Sequence, residues 1–246
     1  MYLKIRGAIV FNHIIMLGFT VLISVSSIVF AQQTVLPKRI LATYEVTKNG
    51  LPFANVREQF VVTGDTYKIE SVTKGVGVYA LFGERVLISI GEVNAQGLKP
   101  SHFELQQSDQ PKKLLRAEFD WPKQNLNMTV KGKLKQAVLT PGTQDLASYA
   151  YQFMYVPASL KDALTVSLTT GKKLNHYQYI VKPEIEIIEN AGVQYKTLHL
   201  VQPKQDASET KELWLSTEHH YLPVRILMVD DNGQKLEQSL TELKVE

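Results

Sequence analysis

From Ile40 onward the chain is written in short runs that alternate side-chain character at every second residue, and that rhythm limits it to sheet. Ile40, Ala42, Tyr44 and Val46 alternate with other residues and then meet Asn49-Gly50. That pair tolerates positive φ and is a strong hairpin signal. Val56, Glu58, Phe60 and Val62 follow, ended by Gly64-Asp65, and Tyr67, Ile69 and Ser71 share one face of the next run. Comparable runs cover Val86–Val93, His102–Gln107, Leu114–Trp121, Leu126–Val130, Lys133–Leu139, Leu164–Thr169, Asn175–Val181, Glu184–Glu189, Tyr195–Val201, Glu209–Leu215, Val224–Val229 and Leu236–Val245. Turn residues separate them, among them Asp109-Gln110-Pro111, Asn190-Ala191-Gly192 and Asp231-Asn232-Gly233. Strands at spacings of roughly 8–12 residues predict one antiparallel meander. About fourteen strands are too many for a flat open sheet. The expected class is therefore all-β, a single large antiparallel meander curled into an open or partly closed barrel. No strand–helix–strand rhythm supports a parallel nucleotide-binding sheet.

One segment departs from the pattern. Asp145–Tyr155 reads as a short helix of about three turns, with Leu146, Tyr149, Ala150 and Phe153 on one apolar face and Pro157 as its stop. Thr143 is placed to cap it and Asp145 to complement its positive end. A lone amphipathic helix in a meander plugs an open end or lies across one face.

The other strong constraint is the start. Lys4 and Arg6 precede a stretch from Gly7 to Pro37 without a charge, and Val29-Phe30-Ala31 offers a peptidase site. This is the layout of a secretory signal peptide over residues 1–31, leaving 38–246 as one barrel-like domain. Ile14–Phe30 as an uncleaved inner-membrane anchor is the alternative. The chain of 246 residues has no cysteine, so no disulfide, thiolate metal site or thioacylated N-terminus is available. The net charge of +3 falls to +1 once Lys4 and Arg6 leave with the leader. That is too little for a nucleic-acid surface.

Candidate chemistry is sparse. Gly75–Gly83 is glycine-rich but has neither the spacing of a dinucleotide fingerprint nor the Lys and Ser/Thr of a phosphate loop. It reads as an apolar crossover or as the lip of a hydrophobic pocket lined by Tyr79, Leu81 and Phe82. His219-His220 lacks partner ligands in sequence and reads as a solvated turn, so no metal or cofactor site is assigned. Polar residues cluster beside aromatics at Phe119-Asp120-Trp121 and at Gly142-Thr143-Gln144-Asp145 with Ser148, a candidate site for an anion or a sugar hydroxyl. Neither a Gly-x-Ser-x-Gly elbow nor any other nucleophile–base motif is present.

Gly97-Leu98-Lys99-Pro100, Phe119-Asp120-Trp121, Gly142–Ser148 and Leu222-Pro223-Val224-Arg225-Ile226 resemble, in that order, the recurrent motifs of the domain of unknown function 3108 family. The resemblance spans Ile40 to the C-terminus. It implies an exported, Gram-negative, barrel-like domain of the cell envelope, and brings no activity. The Trp214–Ile226 strand pair is also similar to the late strands of periplasmic lipoprotein carriers, an analogy of fold alone.

The function expected from these readings is a non-enzymatic periplasmic binding or scaffolding protein whose curled sheet holds an apolar cavity for a lipid or glycolipid. Its candidate ligand residues are Tyr79, Leu81, Phe82, Asp120, Trp121, Gln144, Asp145, Ser148 and Arg225. One alternative is an interaction module that binds a protein or an envelope polysaccharide through exposed aromatics such as Trp214 or Tyr221. The other is a hydrolase using Asp120, Asp145 or His102. Arg225 is predicted to face inward and pair with Asp120 or Asp145.

Overall fold

The Asn49-Gly50 turn forms as its residue types dictate, with φ of 50° and 79° at the two positions, joining β1 (Arg39–Lys48) to β2 (Leu51–Thr63). The computed structural model describes residues 36–108, 114–203 and 209–246. The leader and the Asp109-Gln110-Pro111 turn lie outside these. The remaining strands are β3 (Thr66–Gly75), β4 (Glu84–Asn94), β5 (Gly97–Gln107), β6 (Leu115–Asp120), β7 (Asn125–Val130), β8 (Lys133–Val138), β9 (Gln144–Asp145), β10 (Ala163–Thr169), β11 (Leu174–Asn190), β12 (Val193–Val201), β13 (Thr210–Ser216), β14 (Pro223–Val229) and β15 (Lys235–Val245). One α-helical turn, α1 (Tyr149–Gln152), and a 3-10 turn over Gly77–Phe82 complete the described elements used below.

All 15 strands of the described residues belong to one sheet, in the order β8 through β1, then β15 through β9. β1 therefore lies mid-sheet, and from it the chain meanders out to one edge. It crosses to the opposite edge and meanders back until β15 lies antiparallel beside β1. The sheet is not closed. Its two edge strands are consecutive in sequence, and in the segment that links them the Thr140 hydroxyl donates to Ser167 Oγ of β10 at 3.3 Å. The β9–β10 pair is parallel and the others are antiparallel.

Alternation sends Ile40, Phe60, Tyr67, Ile69, Phe103, Leu126, Leu200 and Leu213 into the core, where each is at most 1% exposed. A fully buried side chain of this size stabilises the fold by roughly 1.5–3 kcal/mol. Two sequence readings shift in detail. Asn175–Val181 and Glu184–Glu189 merge into β11, whose register slips between Val181 and Ile185. The strand expected from His102 begins five residues earlier, at Gly97. Pro100 is tolerated there because the pairing jumps from Ile90↔His102 to Gly91↔Pro100. Ser101 is left as a bulge without a ladder partner.

The helix is shorter than the three turns expected. Gln144 and Asp145 are strand, paired with Leu168 and Thr169, and only Tyr149–Gln152 is α-helical. Packing overrides the 3.6-residue period. Tyr151 and Met154 enter the core cluster around Phe60 and Phe103, while Phe153 joins a second cluster around Leu200 and Leu213. The four residues that spell one helical face divide between the clusters, Leu146 and Ala150 against the first and Tyr149 and Phe153 in the second. Thr143 does not cap it either, because its hydroxyl donates to the Thr140 carbonyl at 2.7 Å.

Candidate functional site

The crossover from β8 to β10 runs through the hollow of the sheet as a plug. Gln152 fixes it to β5, accepting from the Leu98 N–H at 2.7 Å and donating to the Gln96 carbonyl at 2.9 Å. Tyr151 stacks on Phe60 of β2 with ring centroids 5.0 Å apart. The fully buried Asp145 binds it to β4. Asp145 Oδ2 accepts from Ser89 Oγ at 2.6 Å and Oδ1 accepts from the N–H groups of Ala147 and Ser148, both at 2.9 Å. Ser148 Oγ in turn accepts from the Asp145 N–H at 2.9 Å. Burial pushes the Asp145 carboxyl up to about 6, against the pull of these donors.

Beside the plug the two halves of the sheet leave a cleft of about 440 Å³. This lies inside the range of about 300–1,000 Å³ usual for small-ligand sites. Val56, Leu87, Leu105, Leu115, Leu146, Ile226, Met228 and Leu236 supply apolar wall. Arg85, Lys172, Lys173 and Lys211 bring cations, and Glu58 and Glu209 anions. Lys211 is only 6% exposed. It pairs with Glu209 at 3.2 Å and its ammonium sits 4.3 Å from the centre of the Tyr177 ring. Glu58 accepts from Ser71 Oγ and from the Tyr151 hydroxyl, each at 3.0 Å, and burial raises its carboxyl above the ordinary value. The same burial, with the Glu58 charge nearby, holds the Tyr44, Tyr149 and Tyr151 hydroxyls protonated far above neutral pH. The cleft is thus amphiphilic rather than purely apolar.

A larger depression of about 600 Å³ lies among Glu45, Arg57, Glu70, Lys74 and Glu84. Half of its lining residues are charged, on outward register positions, which is solvated surface.

The predicted site residues do not assemble into one place. Gln144, Asp145 and Ser148 lie together inside the plug. Gln144 also borders a second hollow of about 370 Å³ behind α1, and its buried Oε1 has no hydrogen-bond partner among the described residues. Asp120 is elsewhere, at the end of β6, bonded to Lys123 at 2.9 Å. Hydrogen bonds from Lys123 hold its carboxyl below the usual carboxylate range. Trp121 is half-buried and donates to the Pro100 carbonyl at 2.6 Å. Tyr79, Leu81 and Phe82 do not line the cleft, because the 3-10 turn carries Leu81 and Phe82 outward to 84% and 58% exposure. Arg225 does pair with an acid, but with Glu237 at 2.6 Å and not with Asp120 or Asp145. It lies opposite Trp214 on the face away from Leu213.

That face also disposes of Trp214 as an exposed sugar platform. Its ring is 6% exposed, stacked 4.2 Å from His199 on one side and covered by the Arg225 guanidinium at 4.9 Å. Its N–H donates to Glu186 at 2.8 Å. Both ring nitrogens of His199 meet carboxylates, Glu186 and Glu212, at 2.8 Å. Tyr221 is half-buried against the Leu200 cluster. His102 is engaged with Glu118 at 2.7 Å, so His102, Asp120 and Asp145 each answer to a different partner. His219 bonds Ser216 Oγ at 2.9 Å within its turn. Among the described residues no group of three or more His, Asp or Glu is placed to hold a metal ion.

The cleft residues were visible in sequence as charges written into apolar register. Glu58 falls on the Val56–Phe60 face, Arg85 two residues before Leu87, and Lys211 two before Leu213. A charge at a core-facing position marks either a buried pair or a site.

Fold and cleft together define a barrel-like protein made of one curled, unclosed antiparallel sheet around an internal plug. The chain belongs to the family described as protein of unknown function (DUF3108), which matches residues 43–241. It is similar in fold to a beta-barrel-like protein of domain of unknown function DUF1849 from Brucella abortus. The TM-score is 0.54 at 11% identity, over 86% of this chain and 99% of that one. A candidate lipoprotein from Parabacteroides distasonis aligns at a TM-score of 0.35 and 12% identity, over 85% of this chain and 97% of that one. No curated protein matches the chain.

Proposed function

We propose that this is an exported cell-envelope protein that binds a small amphiphile in the cleft beside the plug and performs no chemistry on it. The single observation that carries this reading is the mixed lining of the 440 Å³ cleft. Leucines and methionine suit an acyl chain, and an excess of cations over anions suits an acidic head. The leader read over residues 1–31 supports export to the periplasm, where acidic lipids and glycolipids are the abundant amphiphiles. Against a hydrolase stands the use of Asp145, whose oxygens already hold three protein donors.

Two variants test it with a fluorescent fatty acid as probe. Ala150 lies on α1 and lines the cleft. Ala150→Trp fills the space and is expected to weaken probe binding by at least about tenfold, while the thermal midpoint stays within a few degrees. Arg85→Ala is expected to weaken binding of the acid by about five- to tenfold and to leave the fatty alcohol of equal chain length unaffected. Equal binding of the probe to wild type and Ala150→Trp would remove the cleft as the site.

A further inference from the structure

We infer that the 3-10 turn Gly77–Phe82 is a docking tip by which this protein touches a lipid bilayer beside the mouth of its cleft. Val78, Leu81 and Phe82 are 72%, 84% and 58% exposed. Leu81 is the most exposed large apolar side chain among the described residues. Three such side chains within six residues are costly to leave in water without a use.

The turn is not a loose loop. The Val76 N–H donates to the Phe53 carbonyl at 3.0 Å and the Tyr79 N–H to the Val76 carbonyl at 3.1 Å. The Tyr79 ring packs on Phe53 with centroids 4.6 Å apart, and Gln107 Nε2 donates to the Phe82 carbonyl at 2.7 Å. Gly75 permits the close approach, since a Cβ there would collide with the Tyr79 carbonyl. An ion pair between Lys74 and Glu84 at 2.7 Å closes the base. The root is therefore fixed through Tyr79, and the apolar tip is held out.

The tip suits a bilayer better than a protein. A convex knuckle of three side chains covers far less than the roughly 800 Å² per partner that a stable protein interface needs. A bilayer rewards apolar area without demanding shape complementarity, and three side chains give weak, reversible attachment. Position supplies the second argument. Arg85 follows Phe82 by three residues and lines the cleft, together with Lys172, Lys173 and Lys211. Lys211 is buried against Glu209, whereas Arg85, Lys172 and Lys173 are exposed, so the exposed charge of the cleft complements an acidic membrane surface.

The inference deepens the amphiphile reading, since a reversible bilayer contact is how such a ligand would be collected or delivered. It is tested separately from that reading. Protein purified from the periplasm is sedimented with vesicles of equal parts phosphatidylglycerol and phosphatidylethanolamine, and with phosphatidylcholine vesicles. Wild type is expected to pellet with the acidic vesicles and less with phosphatidylcholine. Leu81→Asp/Phe82→Asp is expected to lose at least about tenfold in vesicle binding while keeping its thermal midpoint and its fatty-acid probe affinity. Ile187→Asp, which removes another exposed apolar side chain at 65% exposure, is expected to change nothing. Vesicle binding that survives the tip substitutions, falls with Ile187→Asp instead, or is absent in wild type overturns the docking tip. Absent vesicle binding with intact probe binding removes the tip alone, and intact tip-dependent binding with no probe binding removes the amphiphile reading alone.

Discussion

Asp145→Ala is expected to cost about 3–5 kcal/mol of folding stability, the largest single-residue effect outside the aromatic core. The substitution leaves the two buried N–H groups of Ala147 and Ser148 without their acceptor and leaves the Ser89 hydroxyl with Tyr67 alone. Each such orphan costs about 1–3 kcal/mol. Asp145→Asn keeps an oxygen for the two N–H groups and offers Ser89 a donor, so its cost is expected to be about 1 kcal/mol. The pair also separates charge from shape. The folded-state value of about 6 lies above the ordinary aspartate value of 3.8. The folded state therefore holds this proton more tightly than the unfolded state. The contribution of the group is full below about pH 4 and is lost as pH rises through about 6, a decline of roughly 3 kcal/mol. Urea unfolding at several pH values should show this decline in wild type, and Asp145→Asn should lack that share of it. A wild type and an Asn variant with parallel pH profiles would mean that the carboxyl is not buried as described.

The second large effect is expected at Trp214. Trp214→Ala empties a site held by His199, Arg225 and Glu186, and is expected to cost about 3–5 kcal/mol. Trp214→Phe keeps a ring between His199 and Arg225 but loses the N–H to Glu186, at about 1–1.5 kcal/mol. Hydrogen bonds from Trp214 and His199 offset the desolvation of Glu186 and hold its carboxyl below the ordinary value. Denaturant midpoints of the two variants check the order. Near-neutral Trp214→Ala, paired with lost polysaccharide binding, would restore the exposed-platform reading that the burial of the ring argues against.

The strand content and the meander were legible because an alternating code and turn residues are local. Asn49-Gly50 names its own turn, and the Phe60 and Tyr67 runs name their own inward face. The order of the sheet was not legible, because the pairing of β1 with β15 joins residues some two hundred positions apart. The helix was over-read for a physical reason. Leu146, Tyr149, Ala150 and Phe153 match a helical face, yet Leu146 and Ala150 pack on one core cluster and Tyr149 and Phe153 on another. The site was half legible. Gln144, Asp145 and Ser148 were found as a cluster, and their role turned out to be fixing the plug. The cleft residues Glu58, Arg85 and Lys211 are not legible as a site in sequence, because a charge within an apolar run reads as tolerance rather than as purpose. Leu81 and Phe82 read in sequence as pocket lining, whereas the 3-10 turn carries both outward.

The most direct measurement is native mass spectrometry of the protein expressed to the periplasm and purified without detergent. The account predicts a population carrying one added mass in the range of an acidic amphiphile, released on gas-phase activation and absent from Ala150→Trp. A wild-type protein that flies only as the bare chain, and takes up no fatty acid when one is supplied, would contradict it.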